Sequence, residues 1–211
     1  YGCTVLIDGE KIETLDTKTE NTISPLVYPS WHPSGKYIAF SVNNTTQDTH
    51  PVHRTEVYDK ASDVVVYDVE KQTILTTGLL FSKNRFETFP TFSPDGKSLY
   101  FCSAPAVKVP GGLKELRYSL CRISFDPERG IFGSAVDTIY HAETEQRSIL
   151  FPRVSPDGKY LLCTTTSYGT FPIWHKDADL CMFDLATGEQ ISTEEANSPD
   201  TDSYHSWSSN S

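Results

Sequence analysis

The chain is poor in clustered positive charge. No run of Lys or Arg exceeds two residues, and 18 basic residues stand against 28 acidic ones, a formal charge of −10. Nucleic-acid phosphates demand a basic face, so a nucleic-acid partner is excluded. No apolar stretch approaches the ~18 residues of a spanning helix, so no transmembrane segment is expected. Cys3, Cys102, Cys121, Cys163 and Cys181 form no C-x-x-C, which removes a zinc knuckle, a thioredoxin-like pair and c-type haem attachment. The last four sit in apolar runs and are expected as small buried hydrophobes. G-x-S-x-G, the P-loop, G-x-G-x-x-G and H-E-x-x-H are all missing, so no catalytic residue, cofactor or metal is assigned. No segment of useful length carries a helical period.

What is present is a repeat. Phe89-Pro-Thr-Phe-Ser-Pro-Asp-Gly-Lys97 returns as Phe151-Pro-Arg-Val-Ser-Pro-Asp-Gly-Lys159, and more loosely as Tyr28-Pro-Ser-Trp-His-Pro-Ser-Gly-Lys36. A fourth copy opens at Tyr204-His-Ser-Trp-Ser-Ser209. Self-similarity at a fixed period marks a repeat architecture. Within each unit, a Pro-Asp-Gly turn joins two short apolar strands. Pro sets φ, Asp caps, and Gly accepts positive φ. A longer connection leads to a third strand such as Asp63–Asp68 or Asp179–Asp184, and a second turn leads to a fourth.

Four short strands per unit of roughly 60 residues predict an all-β fold, a β-propeller of four-stranded antiparallel blades. At 211 residues the chain is one domain's length. The expected division is a partial blade over 1–20, full blades over 26–80, 87–142 and 149–193, and the start of another over 203–211. About three full blades with partial blades at both ends predict a segment of a longer propeller. The repeat positions assigned to structure are Trp31, Phe92, Pro94, Asp95, Gly96, Pro156, Asp157, Gly158 and Trp207. The aromatic members are expected to pack between neighbouring blades. Cys102 and Cys163 stand one register step apart in equivalent strands, which predicts opposite sheet faces and no mutual disulfide.

The motif of aromatic-Pro-x-aromatic-Ser-Pro-Asp-Gly-Lys, followed by Asp184-Leu-Ala-Thr-Gly188, resembles the TolB-type propeller repeat, or WD-like Pro-Asp-Gly repeat. The resemblance runs over nearly the whole chain. The first copy departs from it with Ser34 where the others have Asp. The full pattern is similar to uncharacterised exported proteins of Bacteroides-type bacteria. The resemblance implies a periplasmic or cell-envelope protein that binds or scaffolds other proteins. It implies no reaction, because propellers host many unrelated functions.

Topology also predicts a working face. Tight hairpins leave one side of the disc, whereas 43–62, 104–117, 167–178 and the links between blades leave the other. Binding residues concentrate on loops held by a rigid scaffold, so the long-loop face is expected to take a protein or peptide partner. The candidate binding residues there are His50, His53, Arg54, Tyr168, Trp174 and His175. His50-Pro-Val-His53 with Asp48 and Glu56 is a metal-like donor set, but H-x-x-H on a Pro-containing loop fixes no geometry, and the exposed-loop alternative is preferred. Trp174 has the rival role of an aromatic plug over the ring. His32 and His205, beside Trp31 and Trp207, are expected as satisfied structural histidines. Two other functions stay open: a glycan or small ligand in the central funnel, and a regulatory propeller for a hydrolase whose catalytic part lies outside this segment.

Overall fold

Val64-Val65-Val66 shows how one strand serves two seams. Side chains alternate across a strand, so Val64 and Val66 enter one apolar cluster while Val65 and Tyr67 enter another on the opposite face. A strand buried on both faces reads as an unbroken apolar run, and such runs form the middle of each sheet. The computed structural model describes residues 4–15, 25–49 and 56–209.

The described strands form one two-stranded and three four-stranded antiparallel sheets. The two-stranded sheet pairs β1 (Thr4–Asp8) with β2 (Lys11–Leu15). The first blade is β3 (Leu26–Trp31), β4 (Tyr37–Asp48), β5 (Glu56–Asp68) and β6 (Thr73–Leu75). The second is β7 (Arg85–Phe92), β8 (Ser98–Pro105), β9 (Ser119–Asp126) and β10 (Ile131–Tyr140). The third is β11 (Ser148–Val154), β12 (Tyr160–Thr166), β13 (Asp179–Asp184) and β14 (Gln190–Ile191). The α-helix among the described residues is one turn, α1 (Ala142–Glu145). The fold is a β-propeller. One segment departs from expectation. Asn43–Ser62 was expected as a loop, yet β4 and β5 extend their pairing to Asp48↔Glu56. Its β-branched and aromatic Thr45, Thr46, Val57 and Tyr58 suit a pleated ladder although its overall polarity resembles a loop.

The repeated turn works as its residues require. Ser93 Oγ donates to Asp95 Oδ1 at 2.5 Å, and the Lys97 amide donates to the same oxygen at 3.0 Å. Ser155, Asp157 and Lys159 repeat this at 2.7 and 3.1 Å. In the first copy Ser34 Oγ replaces the carboxylate and accepts from the Lys36 amide at 3.2 Å. His32 stands where the others have Ser. Its Nδ1 accepts the Ser34 amide at 3.1 Å, so Nε2 carries the proton and donates to the Gly96 carbonyl at 3.0 Å. The ring thereby ties the first blade's turn to the second's. His205 is satisfied likewise, with Nε2 2.8 Å from the Phe151 carbonyl.

A second repeated device lies on the first strand of each blade and recurs at Tyr204, outside the described strands. Tyr28, Phe89, Phe151 and Tyr204 all have left-handed φ, between +52° and +59°. The first three precede Pro and fall where inner-strand pairing slips register. A bulge leaves one residue out of the ladder, and Pro has no N–H to lose there. The three bulges turn their rings together, and the Tyr204 ring joins them: Tyr28–Phe89 at 4.6 Å, Phe89–Phe151 at 4.0 Å and Phe151–Tyr204 at 5.4 Å.

The seam positions need one correction. Phe92 is 6% exposed in the cluster between the first and second blades, and Val154 packs in the next seam. Trp31 is 48% exposed, not buried. Only the two-stranded β1–β2 sheet is described on its side, and that sheet's contacts reach Ile38, Phe40 and Tyr67 instead. Removing the Trp31 side chain should therefore cost far less than the ~3–5 kcal/mol of a buried aromatic. Trp207 is half-buried and donates Nε1–H to the Arg153 carbonyl at 2.8 Å. Cys102, Cys121, Cys163 and Cys181 are buried free thiols. Cys102 and Cys163 do point to opposite faces of equivalent strands, but that alone does not separate them. In adjoining blades opposite faces meet, so Cys102 packs with Leu150 while Cys163 packs with Tyr100 and Leu120.

Candidate binding face

The long connections touch one another. The Gly169 amide donates to the Leu116 carbonyl at 2.8 Å, joining the β12–β13 and β8–β9 connections. The Ala106 amide donates to Asn84 of the inter-blade link at 3.0 Å. Tyr58, on the β4–β5 extension, packs in one cluster with Leu113, Leu116 and Val107. The tight turns meet on the other side, where Tyr37 Oη donates to the Pro127 carbonyl at 3.0 Å and His32 reaches Gly96.

On the long-loop face, residues 167–178 separate their candidates. Ile173 and Trp174 are 47% and 44% exposed, so Trp174 is no buried plug. Pro172 beside them is interior and starts a short 3-10 turn, Pro172–Trp174, that presents both side chains. His175 is corrected as a surface contact, because it is 5% exposed and stacks edge-on to half-buried Tyr168 at 4.6 Å. The Thr201 hydroxyl donates to the His175 carbonyl at 2.7 Å, and Asp177 accepts the Ser167 amide at 2.7 Å. These bonds turn His175 inward and leave Ile173–Trp174 at the tip. His50, His53 and Arg54 lie outside the described residues. Among the described residues no cluster of three His, Cys, Asp or Glu is placed to hold a metal.

Two buried carboxyls, Asp59 and Glu87, and the half-buried Asp63 went unsuspected in the sequence. Asp59 accepts from Asn43 Nδ2 at 3.0 Å and Thr45 Oγ1 at 2.6 Å, and burial still pushes its pKa up to about 6. Asp63 accepts the Ser82 amide at 3.0 Å and is pushed up to about 6, also by burial. Glu87 is pushed up to about 8, first by burial and then by the Asp63 charge. Its Oε2 has no hydrogen-bond partner among the described residues. Flanking Phe86 and Phe89 are the only sequence hint of its burial.

Glu87 yields a pH prediction. In the unfolded chain its proton leaves near the ordinary 4.5, and in the folded chain near 8. Between those values the folded state keeps a proton the unfolded chain has lost, so stability falls as pH rises, by up to about 1.4 kcal/mol per pH unit. Glu87→Gln should remove this slope and be more stable than the parent at pH 8. Urea midpoints at pH 5, 6.5 and 8 check it; unchanged differences would contradict it.

A sugar site on the axis lacks its platform. The Phe89 and Phe151 rings, 1% and 5% exposed, are stacked on each other and offer no open face.

No family model matches this chain, and neither does any curated protein. Solved structures do. A puromycin-hydrolyzing peptidase of Mycobacterium tuberculosis superposes with TM-score 0.51 at 16% identity, over 87% of this chain and 24% of the peptidase. A prolyl endopeptidase gives 0.54 at 15% identity, again over 87% and 24%. A TolB from Acinetobacter baumannii gives 0.40 at 15% identity, over 87% of this chain and 46% of the TolB. The chain thus spans about a quarter of the length of the two peptidases. These likenesses are of fold. The narrower likeness to proteins of Bacteroides-type bacteria finds no support among them.

Proposed function

We propose that this chain is a non-enzymatic propeller scaffold of the bacterial cell envelope that binds a protein or peptide through its long-loop face. The observation that carries the proposal is the Ile173–Trp174 tip. Two large apolar side chains are held exposed on a loop that is otherwise anchored inward by Pro172 and His175. Exposed aromatics on rigid supports are the residues that dominate protein interfaces. The envelope location rests on the resemblance of the Pro-Asp-Gly repeat to TolB-type propellers.

Ile173→Ser/Trp174→Ala should leave circular dichroism and melting nearly unchanged and weaken partner capture from envelope extract at least tenfold. Lys71→Gln and Glu189→Gln on the short-turn face should leave capture intact. Loss of capture only with the short-turn changes would mean the opposite face is used.

A second function is favoured by the superposition on two peptidases, each covered over 24% of its length. The segment would then be the propeller of a larger hydrolase, with the catalytic part elsewhere. Labelling of the full-length protein by a fluorophosphonate serine-hydrolase probe would select this function, and absence of labelling would remove a serine hydrolase.

A further inference from the structure

A cavity of about 690 Å³ opens over the seam between the first and second blades. That volume falls within the ordinary range for ligand sites. Lys60 stands on the β4–β5 extension, Lys83 on the inter-blade link, and Arg85 at the start of β7; all three are exposed and line the cavity. Three cations in one lining are a local inversion in a chain of net charge −10. Neither lysine has an ion-pair partner among the described residues. Arg85 Nε donates to Ser103 Oγ at 2.9 Å, while Glu87 Oε1 lies 4.0 Å away, beyond hydrogen-bond distance. Burial and the Asp63 charge raise the Glu87 carboxyl to about 8, which weakens its pairing with the guanidinium. The one carboxylate in the lining, Asp63, is engaged with the Ser82 amide. The remaining wall is mostly apolar, chiefly Phe81, Phe86, Ala106 and Val107, with Ser62 and Ser82 between them.

A cationic rim over an apolar wall matches a ligand with a carboxylate at one end and an apolar group beside it. The C-terminal residue of a peptide has that form, and ammonium and guanidinium groups hold carboxylates through charge-assisted hydrogen bonds. The cavity is large enough for two or three residues and lies where the β4–β5 extension and the link meet the long-loop face, so the rest of a chain can leave across that face. We infer that this seam cavity binds the free C-terminus of a peptide, its carboxylate between Lys60, Lys83 and Arg85 and its last apolar side chain against Phe81 and Phe86. The inference rests on the proposal that the partner is a protein or peptide, and it names the end of that partner which is recognised.

The test uses the whole chain and defined probes: acetyl-Ala-Ala-Leu with a free carboxylate, the same peptide as its C-terminal amide, and isovalerate. Amide shifts in NMR spectra give the affinity and place the contact. The free acid should bind at least tenfold more tightly than the amide, moving the signals of Ser62, Ser82, Lys83 and Ala106. Lys60→Gln/Lys83→Gln should bring the acid down to the amide's affinity without changing the melting temperature. Ala106→Trp, which fills the cavity from an exposed position, should abolish binding. Equal binding of acid and amide, or no binding of either at millimolar concentration, overturns the site. Isovalerate binding as tightly as the tripeptide overturns the peptide assignment in favour of a small acid. Failure of these probes while Ile173→Ser/Trp174→Ala still loses its partner condemns the cavity and not the face. Normal capture by that variant with the acid still bound condemns the face alone.

Discussion

Gly96→Ala is expected to cost about 3–5 kcal/mol, whereas Gly158→Ala, at the equivalent turn, should cost only about 1–2 kcal/mol. Both glycines are left-handed, φ +71° and +74°, so a Cβ at either strains the backbone equally. Their surroundings differ. A Cβ on Gly158 meets nothing within 4 Å, while one on Gly96 would stand 2.2 Å from His32 Nε2. The imidazole cannot step aside easily. It is 4% exposed, with Tyr37, Phe92 and Phe125 rings at 5.6, 4.9 and 5.8 Å. Moving it also gives up the bond to the Gly96 carbonyl that links two blades. In a His32→Ala background the clash disappears, and Gly96→Ala should then cost about as little as Gly158→Ala. Denaturant midpoints of the four variants measure this coupling. Equal costs for the two glycines in the parent chain would show that His32 does not fill this space.

The contrast also marks where the sequence was legible. Pro-Asp-Gly announces a hairpin because each residue's chemistry is local: a fixed φ, a side-chain cap, a tolerated positive φ. The two faces of the disc followed from the same turns, since short and long connections must leave a blade on opposite sides. What a turn touches 64 residues away is not local, so His32 could be expected as a satisfied structural histidine but not assigned its partner, the Gly96 carbonyl. Asn43–Asp48 looked like loop because six polar or β-branched residues satisfy either state, and only the pairing with Glu56–Ser62 decides between them. Trp31 carried the seam pattern, but burial needs a neighbour as well as a position. His175 and Trp174 are adjacent in an aromatic-rich loop, and one is interior and the other exposed because of backbone bonds no pattern reveals. Apart from the phenylalanines flanking Glu87, nothing in the pattern marks Glu87 or Asp59 as buried. Their burial depends on sheets closing over them, which composition does not report.

Phe89 offers the test of how the inner strands are held. It is 1% exposed, and its ring lies 4.6 Å from Tyr28 and 4.0 Å from Phe151. Phe89→Ala should therefore cost about 3–5 kcal/mol, the range for a buried phenylalanine. The informative comparison is glycine. In an ordinary strand glycine is worse than alanine by about 0.5–1 kcal/mol, because it loses more chain entropy on folding. At Phe89 the backbone is left-handed, φ +52°, which costs any side chain about 1–2 kcal/mol and costs glycine almost nothing. Phe89→Gly should thus be no worse than Phe89→Ala, and a little better. Phe92, three residues along the same strand and 6% exposed, does not have positive φ. There the usual order should return, with glycine the more damaging. Chemical denaturation of the four variants decides the matter. If glycine is worse at both positions, the left-handed bulge is not the native conformation at Phe89. The convergence of Tyr28, Phe89, Phe151 and Tyr204 would then need a different backbone to produce it. If the order inverts only at Phe89, the repeated aromatic-Pro pair is a strained device retained in each blade to turn its ring toward the others.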